Sequence, residues 1–155
     1  MKKKNTAGFC GIFCNACPLF QEEKCTGCKS PRITHYAKNN PKWECKIRKC
    51  ASKKKNTKFC CDCSDYPCSE FIKLRNRHLK EKKYQYLHDL FYNLTTILFI
   101  GSKKWIEEQD KIWTCPKCGG RIIFLKNECV DCGFKVSSVY RTYVKETNYK
   151  IPDIE

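Results

Sequence analysis

Two pairs of cysteines near the end of the chain, Cys115-Pro116-Lys117-Cys118 and Cys129-Val130-Asp131-Cys132, carry the clearest chemistry in this sequence. Their spacing, C-x2-C-x10-C-x2-C, suits four thiolates converging from two tight turns on one tetrahedral ion. Gly119 and Gly120 follow the first pair and Gly133 the second, and glycine supplies the positive φ that such a knuckle needs. Cys115, Cys118, Cys129 and Cys132 are therefore expected to bind one zinc. A closed set of four cysteines leaves no open position for catalysis, so the expected role of that ion is to stand in for a core too small to fold alone.

Eleven more cysteines lie upstream: Cys10, Cys14, Cys17, Cys25, Cys28, Cys45, Cys50, Cys60, Cys61, Cys63 and Cys68. Cys14/Cys17 with Cys25/Cys28 repeat the paired pattern as C-x2-C-x7-C-x2-C. Cys45, Cys50, Cys60 and Cys63 could form another site, which leaves Cys10, Cys61 and Cys68. Other pairings are equally consistent with the spacing. All of these except Cys61 are candidate metal ligands, and the whole chain is expected to hold about three zinc ions. The rival is an iron–sulfur cluster upstream with one zinc in the C-terminal site. Cys10-x3-Cys14-x2-Cys17 matches the three-cysteine loop with which radical S-adenosylmethionine enzymes hold a four-iron cluster, and Pro18 suits ferredoxin-like ligation. The chain is too short for the barrel of those enzymes and lacks βα repeats. Because fifteen is odd, either one thiol is spare or some site is not built from four cysteines. His35 could complete a site of three cysteines and one histidine; His78 and His88 fall on a helical segment and are expected to pack or face solvent. No Ser/His/Asp order, glycine-rich phosphate loop or paired-carboxylate motif stands out, and no cysteine is singled out as a low-pKa nucleophile. The balance is against an enzyme.

Cysteine at this density marks either a disulfide scaffold or a metalloprotein. The basic start, Met1-Lys2-Lys3-Lys4, is followed by no clean apolar block, which makes a poor secretory signal. The most apolar stretch, 90–100, is too short to cross a bilayer and contains Asn93, Thr95 and Thr96. A cytoplasmic protein without a membrane partner is expected, where thiols stay reduced and bind metal.

The formal charge is +15, from 31 Lys+Arg and 16 Asp+Glu. Residues 1–68 carry 15 basic and 5 acidic side chains, so most of the excess lies among the upstream cysteines. Each zinc bound by four thiolates is a −2 centre, so three sites would lower the total to about +9. A basic cysteine-rich chain points to a polyanion, with RNA or a nucleoprotein such as the ribosome or transcription machinery as the leading partner and a protein partner as the alternative. Lys2, Lys3, Lys4, Lys53, Lys54, Lys55 and Lys58 are the candidate phosphate contacts.

These residues need elements to position them, and the chain divides by cysteine content. Residues 1–68 read as a loop-rich metal-binding module, with a loop or short helix across 29–44 and an exposed turn at Lys53-Lys54-Lys55-Asn56. Residues 69–114 hold no cysteine and are helical. Ser69 is a plausible N-cap for a helix carrying Phe71, Ile72, Leu74, His78 and Leu79. Tyr84, Leu87, Leu90, Phe91, Leu94 and Leu98 form a second apolar stripe, stopped by Gly101. Ser102 can cap a short helix with Trp105 and Ile106 that ends near Trp113. Residues 115–145 read as a zinc ribbon, with strands over 121–125 and 134–136, a turn at 126–128, and a possible continuation at 139–144. Residues 146–155 form a polar tail. The expected fold is α+β, small and metal-stabilised.

The opening Cys10-Gly11-Ile12-Phe13-Cys14-Asn15-Ala16-Cys17-Pro18 resembles an uncharacterised family of small cysteine-rich archaeal and bacterial proteins, a domain of unknown function. The likeness continues through Cys25-Thr26-Gly27-Cys28, Cys45 to Cys50-Ala51 and Phe59-Cys60-Cys61-Asp62-Cys63-Ser64-Asp65-Tyr66-Pro67-Cys68, and extends to Gly101, Trp105, Glu108-Gln109, Trp113 and the ribbon. It implies metal binding and supplies no activity. Cys61 looks like an addition to the family's Cys60-x2-Cys63, which marks it as the spare thiol.

Overall fold

The structure is a computed structural model, and it describes residues 6–30, 45–80, 90–124 and 126–136, with the side chains of His78 and Leu79 left aside. Among these residues the chain forms helices α1 (Pro18–Gln21), α2 (Lys46–Ser52), α3 (Ser69–Lys80), α4 (Leu90–Ile100) and α5 (Ser102–Ile112). Two short strands follow, β1 (Ile122–Ile123) and β2 (Glu128–Cys129), paired antiparallel with Ile122 opposite Cys129 and Ile123 opposite Glu128. The fold is the small α+β arrangement expected from the sequence.

Around the upstream cysteines regular structure is brief. Two single 3-10 turns, Cys14–Ala16 and Cys60–Asp62, and the short helices α1 and α2 are the regular structure there, and Cys10, Cys25, Cys28, Cys63 and Cys68 lie in the loops around them. The 53–56 turn forms as expected, exposed and closed by Asn56 at φ 64°. Asp62 shapes the turn that carries Cys60: its carboxylate accepts the backbone N–H groups of Lys58 and Phe59, both at 2.9 Å.

The helical zone follows its apolar spacing with local shifts. Helix α3 begins at Ser69, and the carbonyl of Cys68 accepts the Ile72 N–H at 3.0 Å. Cys68 thus takes the place at the helix entrance that Ser69 was expected to hold, a one-residue difference at a frayed end. In α4 the buried residues are Leu90, Tyr92, Asn93, Leu94, Thr96 and Ile97, whereas Leu98 and Phe99 are 58% and 72% exposed. Ile97 and Ile100 in the same last turn pack on the core, so Leu98 and Phe99 are exposed because they fall on the helix's outer face. Gly101 has φ 85°, and its N–H closes onto the Ile97 carbonyl at 2.9 Å. Helix α5 then starts directly, with Gly101 rather than Ser102 in the capping position. Tyr84, Leu87, His88, the 29–44 stretch beyond Ser30, the 139–144 continuation and the tail lie outside the described residues.

One cluster of buried side chains runs through all three zones, from Ala7, Phe9 and Phe13 through Phe71, Leu94 and Trp105 to Trp113, Ile122 and Phe124. Phe13 meets the fully buried Trp105 edge-on at 6.4 Å, and Trp113 meets Phe124 edge-on at 4.7 Å. The Phe124 N–H donates to the Ala16 carbonyl at 2.8 Å, which ties the ribbon to the turn carrying Cys14 and Cys17. Gly11 docks the other side of that loop. Its carbonyl accepts the Asn93 amide at 2.9 Å, and its φ of 89° turns the chain against α4. A Cβ there would stand 3.2–3.3 Å from Asn93 and Leu94.

Candidate metal centre

The ribbon cysteines meet as their spacing implies. The two knuckles flank the β1–β2 hairpin, and each is closed by a backbone bond, from Gly119 N–H to the Cys115 carbonyl at 2.9 Å and from Gly133 N–H to the Cys129 carbonyl at 3.0 Å. Gly119 and Gly133 sit at φ 75° and 70°, the left-handed region that glycine enters without penalty. Gly120 has a different reason to be glycine. A Cβ would collide with the Asp131 carboxylate and come within 3.0 Å of the Cys129 sulfur. The Gly120 N–H points at the Cys118 Sγ, 3.4 Å away.

All four sulfurs lie within 4.8 Å of one another. Cys115 Sγ is 3.7 Å from Cys132 Sγ, and Cys118 Sγ is 3.5 Å from Cys129 Sγ. These are not disulfides, which need about 2.05 Å between sulfurs, and all fifteen cysteines are free thiols. A metal–sulfur bond of about 2.3 Å sets tetrahedral sulfur–sulfur edges near 3.8 Å. The site fits that demand and could hold a metal ion. Cys115 and Cys129 are buried and belong to the core cluster, whereas Cys118 and Cys132 face outward. Burial acts to raise the Cys115 pKa, but bonds from the Cys118 and Lys117 backbone and from Cys132 and Cys129 outweigh it and bring the thiol to about 7. Cys118 goes the other way, to about 12. The Gly120 N–H lowers it, but Cys118 shares its proton with Cys132 and Cys129. The Cys115 thiol is thus poised to ionise near neutral pH.

The upstream cysteines are gathered differently. Cys10 is buried, and its ionisation is opposed first by desolvation and then by Cys28, Cys45 and Cys60, residues distant in sequence. Gly8 lies beside both sulfurs: a Cβ on it would be in ordinary contact with them, 3.8 Å from Cys10 Sγ and 3.5 Å from Cys28 Sγ. Cys14 is raised by burial and by Cys28, Cys17 and Cys25, so the four cysteines of the C-x2-C-x7-C-x2-C pattern are neighbours in space. Burial and the nearby Cys45 and Cys25 push Cys28 up to about 11. Cys60 rises to about 12 through burial and then through Cys68, Cys61, Cys50 and Cys45. Cys50, Cys60, Cys63 and Cys68 line one cleft, so the ring there contains Cys68, with Cys45 lying between Cys60 and the Cys10–Cys28 side. Cys61 points into the core cluster. Among the described residues only the ribbon quartet brings three or more Cys, His, Asp or Glu ligand atoms within 4.8 Å of one another.

Two cations lie close to the cysteines, one of them in direct contact, a feature that sequence reading missed. The Lys54 ammonium lies 2.9 Å from Cys63 Sγ and 3.6 Å from Asp65, and its hydrogen bond lowers the Cys63 pKa. Its one signal in the sequence is its position four residues after Cys50, one helical turn further along. Lys29 stands over the Phe59 ring at 3.7 Å and the Phe9 ring at 5.5 Å, near Cys14 and Cys28. Of the other lysines expected to contact phosphate, Lys53, Lys55 and Lys58 are exposed, and Lys2, Lys3 and Lys4 lie outside the described residues, as does His35.

Fold and site together define a small, cysteine-rich α+β protein with a four-cysteine group able to hold a metal ion. Residues 6–73 match the model of a family described as a protein of unknown function (DUF3795). The match takes in every upstream cysteine, so the resemblance stated for Cys10 through Cys68 is borne out there. Gly101, Trp105 and the ribbon lie beyond the matched residues. No curated protein matches the chain, and no solved structure matches it. No helix among the described residues is long and apolar enough to cross a membrane.

Proposed function

We propose that this is a non-enzymatic zinc-binding protein whose basic surface engages RNA or a nucleoprotein complex. The ribbon quartet carries the reading: four sulfurs at single-ion spacing, half sunk in the core, suit a closed structural zinc. Zinc is the ion of choice for such a four-thiolate tetrahedron. The ion would fix the hairpin against Trp113 and Phe124 and would do no chemistry of its own. The partner is argued from charge. Lys53, Lys55 and Lys58 stand exposed on one short connection, and the chain carries a large basic excess. Lys54 is engaged by Cys63 and Asp65 and Lys29 sits over the Phe59 ring, so the surface available to phosphate is smaller than the formal +15 suggests.

The test is binding of the zinc-loaded chain to a single-stranded RNA over a salt series. Affinity should fall linearly on a log–log plot with a slope of about −0.7 per phosphate neutralised. Substituting Lys53, Lys55 and Lys58 together by Gln should reduce that slope by about 2. Absence of binding at low salt would refute the RNA reading. A second reading, a protein adaptor with structural zinc only, is favoured by the adjacent exposed Leu98 and Phe99. It predicts a co-purifying protein that survives nuclease and is lost on Phe99→Ser.

A further inference from the structure

We infer that Cys50, Cys60, Cys63 and Cys68 form a second metal centre that takes a polynuclear iron–sulfur cluster rather than a single ion. The four come from α2, the Cys60–Asp62 turn, the residue after it and the entrance of α3, and all line the same cleft. Cys60 stands within electrostatic reach of both Cys50 and Cys68, and the Lys54 ammonium reaches both Cys50 and Cys63. The group is wide. A lone tetrahedral ion needs sulfurs about 3.8 Å apart, as the ribbon provides, and this quartet does not reach even 4.8 Å mutual spacing. The cleft that these cysteines line together with six other residues measures about 70 Å³, several times the roughly 10–15 Å³ that a single water needs by the same measure. Four thiolates around a multi-atom space are the ligand set of an iron–sulfur cluster.

Two further features fit. Ile47, Ala51 and Tyr66 give the cleft an apolar side, and Lys54, Thr57 and Glu70 complete its lining. Lys54 donates to a ligand sulfur, the outer contact through which proteins tune such centres. The inference stands apart from the zinc reading of the ribbon, since the two quartets share no residue.

The experiment is to purify the full chain without air, reconstitute it with ferric iron, sulfide and excess dithiothreitol as reductant, and measure iron, acid-labile sulfide, zinc and the visible spectrum. The same is done for Cys68→Ser, Cys50→Ser and Cys118→Ser. Iron and sulfide should bind in equal amounts with broad absorbance near 400 nm. Cys68→Ser and Cys50→Ser should lose most of that absorbance and keep zinc; Cys118→Ser should lose zinc and keep the absorbance. Cys50 is exposed on α2, so its serine variant tests ligation without disturbing the core. Colourless protein with zinc alone, or iron and sulfide retained in full by both cleft variants, would overturn the inference.

Discussion

The two cysteine-bearing regions solve the same problem at different ranges. In the ribbon all four ligands come from 18 consecutive residues, 115–132, and each knuckle is shaped by its own glycines. In the upstream module, cysteines as far apart as Cys10 and Cys60 come near one another because the chain folds around a core that also includes α4 and α5. The ribbon site is thus local and set at the spacing of one ion. The upstream cysteines depend on tertiary packing, and their cleft is wider. Metal at the ribbon should organise a hairpin, whereas the upstream cysteines should be sensitive to mutations far from any sulfur.

The largest effect that separates the regions is removal of a buried ribbon ligand. Structural zinc binding in small peptides contributes roughly 10–16 kcal/mol near neutral pH, more than most domains' total stability. Cys129→Ser should abolish zinc retention and collapse the hairpin's amide dispersion in NMR, while the resonances of Phe71 and its neighbours keep their native positions. Next comes Trp105→Ala, at about 3–5 kcal/mol because the side chain is fully buried. Measured by chemical denaturation, it should loosen the upstream module through Phe13 while leaving zinc in the ribbon. Equal zinc loss in both variants would erase the distinction between local and tertiary sites.

Much of this contrast could be read from the sequence, for a physical reason. Knuckle geometry depends on residues one to three positions apart, so Cys115-x2-Cys118-Gly119 announces its own turn. The helices were legible from their 3- and 4-residue apolar spacing, and Gly101 from its place after Ile100. What failed was anything decided by distant contacts. Leu98 reads as a core residue by period, yet Ile97 and Ile100 take the core-facing side of that turn and leave it outside. Cys68, set aside in one pairing, joins the cleft because the chain returns there at the start of α3. Lys54 looked like part of a basic run and instead faces Cys63, a pairing that depends on how α2 is set against the Cys60 turn.

Smaller changes sharpen the comparison. Gly11→Ala forces a left-handed residue against Asn93 and Leu94. It should cost about 1–3 kcal/mol, read as a lower denaturation midpoint with ribbon zinc unchanged. Gly120→Ala acts in the opposite region: its methyl presses on Cys129 Sγ and should weaken zinc affinity about 10-fold in a chelator competition, with little change in α3–α5. The pH response has a defined sign. The folded Cys115 pKa is lowered from 9.0 to about 7, so its contribution is complete above pH 9 and disappears as pH falls through 7. Zinc affinity should weaken on acidification across that window. The smallest effect is Lys54→Met. Exposed ion pairs contribute only about 0–1 kcal/mol, so stability should barely change. Removing a cation beside Cys63 should still lower the reduction potential of a cluster held there, read by redox titration.

The most direct test of the two-range account is a native mass spectrum of the intact chain, purified without air. The account predicts one zinc per chain together with the mass of one iron–sulfur cluster, and loss of the zinc alone in Cys118→Ser. A chain carrying only separate zinc ions at both regions would contradict the distinction between a single-ion ribbon and a cluster-sized cleft, and a chain with no metal in the ribbon would contradict its foundation.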